Sequence, residues 1–149
     1  MDQNKNIYYS GNFGRETIQI YSTTIAQVNT LITNTYMPVY GPANGNSISG
    51  PQGLVFDEST NTVILTDSAV VRRVDRNGFS YPIAGSAPGG SCVDGFGTSA
   101  QFSNPTAVAL DSNFNILVAD RATIRRINSS SMYWSKKNHY FPAILFIHN

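Results

Sequence analysis

The chain has 149 residues, 41% of them hydrophobic and 13% charged, with a formal net charge of +1. That length is enough for one domain with a buried core, and a charge so close to zero argues against a global field that draws nucleic acid or membrane. The single cysteine, Cys92, excludes an internal disulfide and any multi-cysteine metal site.

Charged residues are about half as frequent as the roughly 25% usual in soluble domains. Gly, Asn, Ser and Thr take their place, which favours turns and strands over long helices. The opening "MDQNKNIYYSG" has no apolar stretch of signal-peptide type. No run approaches the roughly 20 apolar residues of a membrane span. The default expectation is a soluble, cytoplasmic protein.

In chain order, "NIYYSG", "TIQIYS" and "VNTLI" read as three strands within residues 1–40. They match strands two to four of a four-stranded unit whose first strand is absent. The Gly- and Pro-bearing stretch "MPVYGPANGNSISGPQG" connects them to a second unit, residues 50–85. There "GLVFD", "VILTD", "VVRRV" and "SYPIAG" are four short strands, and "ESTN" is the turn after the first. A glycine-rich connection leads to "AVALD", "ILVAD" and "TIRRI", within residues 104–127. "VILTD" and "ILVAD" are continuously apolar up to their aspartates, which implies burial on both faces. In "TIRRI", Ile124 and Ile127 point to opposite faces. The tail, residues 128–149, leaves the pattern.

The last two units are one sentence written twice. Pro51 and Pro105 are 54 residues apart, as are Asp57 and Asp111, and Asn61 and Asn115. Asp67 and Asp120 are 53 apart, as are Arg72-Arg73 and Arg125-Arg126. One residue is therefore lost, and these spacings put the loss between Asn61 and Asp67. A fixed period of this length marks a repeat architecture. Four short strands per unit, apolar on both faces, describe a propeller blade between two neighbours. The fold class is all-β, an incomplete β-propeller with four-stranded antiparallel blades.

The stretch "DGFGTSAQFSNPTAVALDSNFNILVADRATIRRI" resembles the NHL-repeat family of β-propellers. Asp94, Gly95, Phe102, Asn104, Pro105, Asp111, Asn115, Asp120, Arg125 and Arg126 fall at the family's pattern positions. The earlier blade supplies Pro51, Gly53, Asp57, Asn61, Asp67, Arg72, Arg73 and Gly85. Ala107 departs from the pattern, which has Gly two residues after the Pro. The tail "NSSSMYWSKKNHYFPAILFIHN" departs more, since the family continues with a Gly turn and a fourth strand. The resemblance implies a disc of about six blades, of which this chain holds one whole and parts of two. It is expected to be a piece of a larger propeller, or to self-associate to cover open blade faces.

Several motifs touch chemistry and fall short of it. Asp111-x-Asn113-x-Asn115 opens like a calcium loop, but Ile116 and Ala122 stand where its Gly and Glu belong. It reads as a hairpin turn. "GFGTSA" lacks the helix a dinucleotide fingerprint needs, because Asn104-Pro105 follows too soon. Asp67 and Asp120 recur at equivalent places, which suits a structural role with Arg72-Arg73 and Arg125-Arg126 better than catalysis. Arg72, Arg73, Arg76, Arg121, Arg125 and Arg126 carry no interleaved aromatics for base stacking. His139 and His148 lie in the tail, so no blade holds a histidine for general-base or metal work. Cys92 reads as a loop thiol. "YFPAILFI" reads as a replacement strand, an interaction segment or a misread gene end. Asn128-Ser129-Ser130 is a glycosylation sequon that matters only in a secreted protein.

No cofactor, metal or catalytic residue is expected. The leading functional expectation is a non-catalytic binding or scaffold module with a protein partner and no membrane. A remnant of a propeller hydrolase or lyase, or an RNA-binding face, are the alternatives.

Overall fold

Val, Ile and Thr have branched side chains that suit a pleated surface, and they fill the runs that become strands. The computed structural model describes residues 4–12, 16–22, 26–33, 48–128 and 145–147. The described residues form three antiparallel sheets. The first has β1 (Ile7–Asn12), β2 (Glu16–Ser22) and β3 (Gln27–Thr33), in that order. The second has β4 (Pro51–Asp57), β5 (Thr62–Asp67), β6 (Val70–Val74) and β7 (Ser80–Gly85), also in chain order. The third has β8 (Pro105–Leu110), β9 (Ile116–Asp120) and β10 (Thr123–Ile127), with β11 (Leu145–Ile147) beside β10. A 3-10 turn at Gly97–Ser99 lies in the connection between the second and third sheets. No helix among the described residues is long and apolar enough to cross a membrane.

Each sheet is a blade, and the blades stack face to face. One apolar layer lies between the first and second: Ile18, Ile48, Val63, Leu65 and Val74, joined by Tyr8, Leu31, Leu54 and Phe56. Within it the rings of Tyr8 and Phe56 stack with centroids 4.9 Å apart. The other lies between the second and third: Ile64, Val71, Ile83, Phe102, Ile116, Val118 and Ile127, with Val55, Val108 and Leu110. Alternation along β5 sends Val63 and Leu65 one way and Ile64 the other, so every residue of that strand is buried.

"ILVAD" behaves differently. In β9 full burial holds only at Ile116, Val118 and Asp120, while Leu117 and Ala119 are half-buried. The expectation of two covered faces fails here because one of them has no described blade against it. Ile124 and Ile127 divide the same way, with Ile124 58% exposed and Ile127 fully buried.

The lost residue sits elsewhere than the spacing suggested. Asp57 pairs with Thr62, Phe56 with Val63, and Leu110 with Ile116. Asn61 and Phe114 each end their turn at positive φ, 57° and 59°. So Asn61 corresponds to Phe114, and Thr62 to Asn115. The deletion falls inside the hairpin turn, between Asp57 and Thr62, where a length change leaves both strands in register. The tail also does more than end the chain: Arg125, Arg126 and Ile127 pair with Ile147, Phe146 and Leu145. Of the three readings of "YFPAILFI", these residues match a replacement fourth strand. Tyr140 to Ala143 and Ile144 lie outside the described residues.

The blades meet most closely at their first strands. A Cβ on Gly53 would lie 2.5 Å from the Cα of Ala107 and 2.9 Å from the backbone of Thr106 and Val108. Only a glycine lets β4 and β8 approach so far. Gly53→Ala is therefore expected to destabilise the chain by about 1–3 kcal/mol, the usual cost of forcing atoms into a packed contact. Ala107, the matching residue of the next blade, is exposed. Ala107→Gly is expected to change stability by less than about 1 kcal/mol. Urea midpoints of the two variants, compared with the parent, check both statements.

Candidate functional site: aspartate–arginine stations and the connecting loop

Strand β5 ends at Asp67 and β9 ends at Asp120, and both carboxylates are buried. Each turns back to the segment that enters its own blade. Asp67 accepts the backbone N–H groups of Ser49 and Gly50, both at 2.7 Å. Asp120 accepts those of Ser103 at 3.0 Å and Asn104 at 2.7 Å. The turn beyond repeats as well: Ser68 N–H donates to the Gly50 carbonyl, and Arg121 N–H to that of Asn104. Ser68 and Arg121 share positive φ, 52° and 56°. Pro51 and Pro105 begin the strands that pair with these aspartates, and an irregularity in register follows each. Proline suits that first position because it has no N–H to place in the ladder.

An arginine closes each station. Arg72 donates from Nε to Asp67 at 2.7 Å and stays partly exposed. Arg125 is wholly buried and does more. Its Nη1 reaches Asp120 at 3.2 Å and the carbonyl of Gln101. Its Nη2 reaches the carbonyl of Val93 at 2.8 Å and Asp94 at 2.9 Å. The guanidinium also lies 4.7 Å from the centre of the Phe102 ring. A fork of fixed donors can hold several acceptors at once in a way a lysine cannot. The result is a loop pinned from inside the blade. Val93 pairs with Gln101, and the outer side of the loop presents Val93 at 47% and Phe96 at 58% exposure.

The opposite ends of the strands carry a second set. Asp57 accepts the N–H and hydroxyl of Ser59, the hydroxyl of Thr60, and Arg73 Nη2 at 3.2 Å. Asp111 accepts the N–H groups of Asn113 and Asn115 and the side-chain amide of Asn115. Asp75 does the same for Asn77 and Phe79 in the turn between β6 and β7. These are aspartate turns, in which the carboxylate bonds the backbone just ahead of it. The calcium-like spacing at Asp111 is thus taken up in folding its own hairpin. The Asn115 amide, the backbone donors and the charge of Arg126 hold the Asp111 carboxyl below its ordinary value.

For Asp57, burial acts to raise the pKa, and the hydrogen bonds of Ser59 and Thr60 with the charge of Arg73 outweigh it, leaving it lowered. A carboxyl whose folded pKa lies below its unfolded one stabilises the fold above the unfolded value, about 4. That contribution is lost as pH falls through the folded value. Stability is expected to drop below about pH 4, and Asp57→Asn to flatten that drop. Urea midpoints between about pH 6 and pH 2 are the check, and an unchanged slope in the variant would count against it.

Most of the described arginines are engaged by neighbouring side chains. Arg72, Arg73 and Arg125 are bonded to aspartates, and Arg76 donates to Asn61 at 2.7 Å. Arg121 stands exposed in its turn. Cys92 is exposed, and its Sγ lies 3.5 Å from Asp120 Oδ2. "GFGTSA" forms the short 3-10 turn of the connection, held by N–H bonds from Ser99 to Phe96 and Ala100 to Gly97. His139 and His148 lie outside the described residues, as do Ser129 and Ser130 of the sequon. The sequence reading missed the reach of Arg125 to Val93 and Gln101. The signal for it was present in Asp94 and Phe102, but the partners are backbone carbonyls, which no residue type announces.

No family model matches the chain, and no curated protein does. Among solved structures, it is similar to a structural genomics protein of unknown function from Bacteroides thetaiotaomicron VPI-5482. The TM-score is 0.65 over 85% of this chain, at 16% identity. The chain spans 32%, about a third, of that protein's length. Likeness at so low an identity speaks to the fold alone, and that fold is all-β, an incomplete β-propeller-like stack of antiparallel blades.

Proposed function

We propose that this chain is a non-catalytic binding and scaffold module built from NHL-type repeats, with a protein as its partner. The observation that carries this reading is the loop pinned by Arg125. It offers Val93 and Phe96 to solvent on a backbone whose Val93 and Gln101 carbonyls accept from Arg125, which is itself paired with Asp120 and Asp94. A rigid loop with an exposed aromatic loses little freedom on binding, and aromatic anchors dominate protein interfaces. The carboxylates that would serve catalysis are engaged in the same local hydrogen bonds in successive blades. That duplication supports a structural role for them. The bonding of Arg72, Arg73 and Arg125 to aspartates removes charge that an RNA-binding face would need.

The test is affinity capture from host extract with the parent chain and with Phe96→Ser. A protein retained by the parent through nuclease treatment and lost with Phe96→Ser is the expected result. Retention of RNA that weakens steeply with salt would favour the RNA reading instead. Turnover of ester or glycosidic test substrates by the purified chain would restore the hydrolase reading.

A further inference from the structure

We propose that Asn77 is a site of spontaneous modification, at which the side-chain amide is displaced by the backbone nitrogen of Gly78 and the product loosens the joint between the first and second blades. Two turns of the chain are built alike. In the turn between β6 and β7, Asp75 N–H donates to the Phe79 carbonyl and Gly78 N–H to the Asp75 carbonyl, both at 3.0 Å. In the turn between β8 and β9, Asp111 N–H donates to the Asn115 carbonyl and Phe114 N–H to the Asp111 carbonyl, again at 3.0 Å. In each turn an aspartate oxygen accepts two further N–H groups, from Asn77 and Phe79 or from Asn113 and Asn115, at 2.8 to 2.9 Å. Asn77 and Asn113 therefore hold the same place, and both are exposed. The residue after each has positive φ, but one is Gly78 at 82° and the other Phe114 at 59°. Among the described residues, Asn77 alone precedes a glycine.

Asparagine is among the thermolabile side chains. Attack by the next backbone nitrogen on its Cγ closes a succinimide ring. Here the bond that forms joins Gly78 N to Asn77 Cγ, and the bond that breaks joins Cγ to Nδ2. The proton of the Gly78 nitrogen leaves with the amide as ammonia. Water then opens the ring at Cγ to give aspartate, or at the main-chain carbonyl to give isoaspartate. Glycine favours the attack because no side chain crowds its nitrogen and its backbone turns freely, whereas Phe114 carries a ring at the equivalent place. The Gly78 N–H must first leave the Asp75 carbonyl, a local opening that an exposed turn makes at low cost. The consequence lies with the first blade. A Cβ on Gly78 would lie 2.5 Å from the Leu31 carbonyl oxygen, and Leu31 packs against the apolar layer between the two blades. Aspartate leaves the main chain of the turn as it was. Isoaspartate lengthens it by a carbon between the paired residues Asp75 and Phe79, so Gly78 cannot keep a place with no room to spare.

The inference concerns the chain by itself and does not depend on the loop at Phe96, so the two readings fail separately. The experiment ages the full purified chain in warm neutral buffer and follows it by peptide mapping, with fragment spectra that assign each change to a residue. Methyl transfer by an isoaspartyl methyltransferase labels the isoaspartate. A mass gain of about 1 Da at Asn77, as an amide nitrogen gives way to oxygen, is expected to run severalfold ahead of the gain at Asn113. Asn44, which also precedes a glycine, lies outside the described residues and is read separately. The urea midpoint of the aged parent should fall further than that of Asn77→Ser aged alongside it, which lacks the reactive amide. Fresh Asn77→Asp, with an ordinary main chain, should stay close to the fresh parent. Equal gains at Asn77 and Asn113, or no gain at Asn77, would overturn the inference. So would an aged parent as stable as aged Asn77→Ser.

Discussion

Replacing Arg125 by Met is expected to destabilise the chain by about 3–5 kcal/mol, the cost of breaking a buried ion pair from one side. The side chain is fully buried, and so is its partner Asp120. Methionine fills much of the volume but supplies no donor. Asp120 keeps the N–H groups of Ser103 and Asn104 yet loses its counter-charge, and the carbonyls of Val93 and Gln101 each lose one of two donors, keeping only the N–H of the other residue. Arg125→Lys should recover only part of the loss, since one ammonium cannot span those acceptors. Arg72→Met is the control. Arg72 makes one bond to Asp67 and is 16% exposed, so water can take its place at the carboxylate and the expected cost is smaller, about 1–3 kcal/mol. Urea titrations at one fixed protein concentration give all three values. Equal losses at positions 72 and 125 would refute the asymmetry between the two stations. The Val93 and Gln101 amides should also exchange hydrogen faster in Arg125→Met, because the loop then opens without the blade unfolding.

Phe102→Ala is expected to cost a similar amount, about 3–5 kcal/mol, for a different reason. The ring is fully buried in the layer between the second and third blades. Gly85 makes room for it: a Cβ there would lie 2.6 Å from the ring and 2.4 Å from the Ala69 carbonyl, and φ is +91°. Truncation opens a cavity that Gly85 cannot fill. It also removes the ring from beneath the Arg125 guanidinium, a contact worth about 1–2 kcal/mol when desolvated. A double-mutant cycle on Phe102 and Arg125 should therefore show coupling of about 1 kcal/mol or more. Additive losses would mean that the ring acts through packing alone. In the earlier blade the same place belongs to Ile48, also fully buried. Phe102→Ile is accordingly expected to retain more stability than Phe102→Ala.

The local strand pattern was legible in the sequence because strands leave a short-range record. Alternating and continuous apolar runs, bounded by Asp, Asn and Gly, mark β4 to β10 without reference to anything distant. The repeat of Pro51 and Pro105, Asp67 and Asp120, and Arg72 and Arg125 was equally open to reading. A station built from residues five apart reproduces itself wherever its sequence recurs. What lay beyond the sequence depended on contacts between blades. The burial of "VILTD" and the half-burial of "ILVAD" separate two runs of the same composition. The cause is a neighbouring blade that covers both sides of one and one side of the other. The slip from Asn61 to Phe114 was hidden because a turn tolerates a deletion that a ladder of hydrogen bonds does not. The pairing of β11 with β10 joins two segments that no local rule connects. Residue type and spacing thus determined the blades and their polar stations. Only the tertiary structure decided which faces are covered, because burial is settled by the neighbour a surface meets.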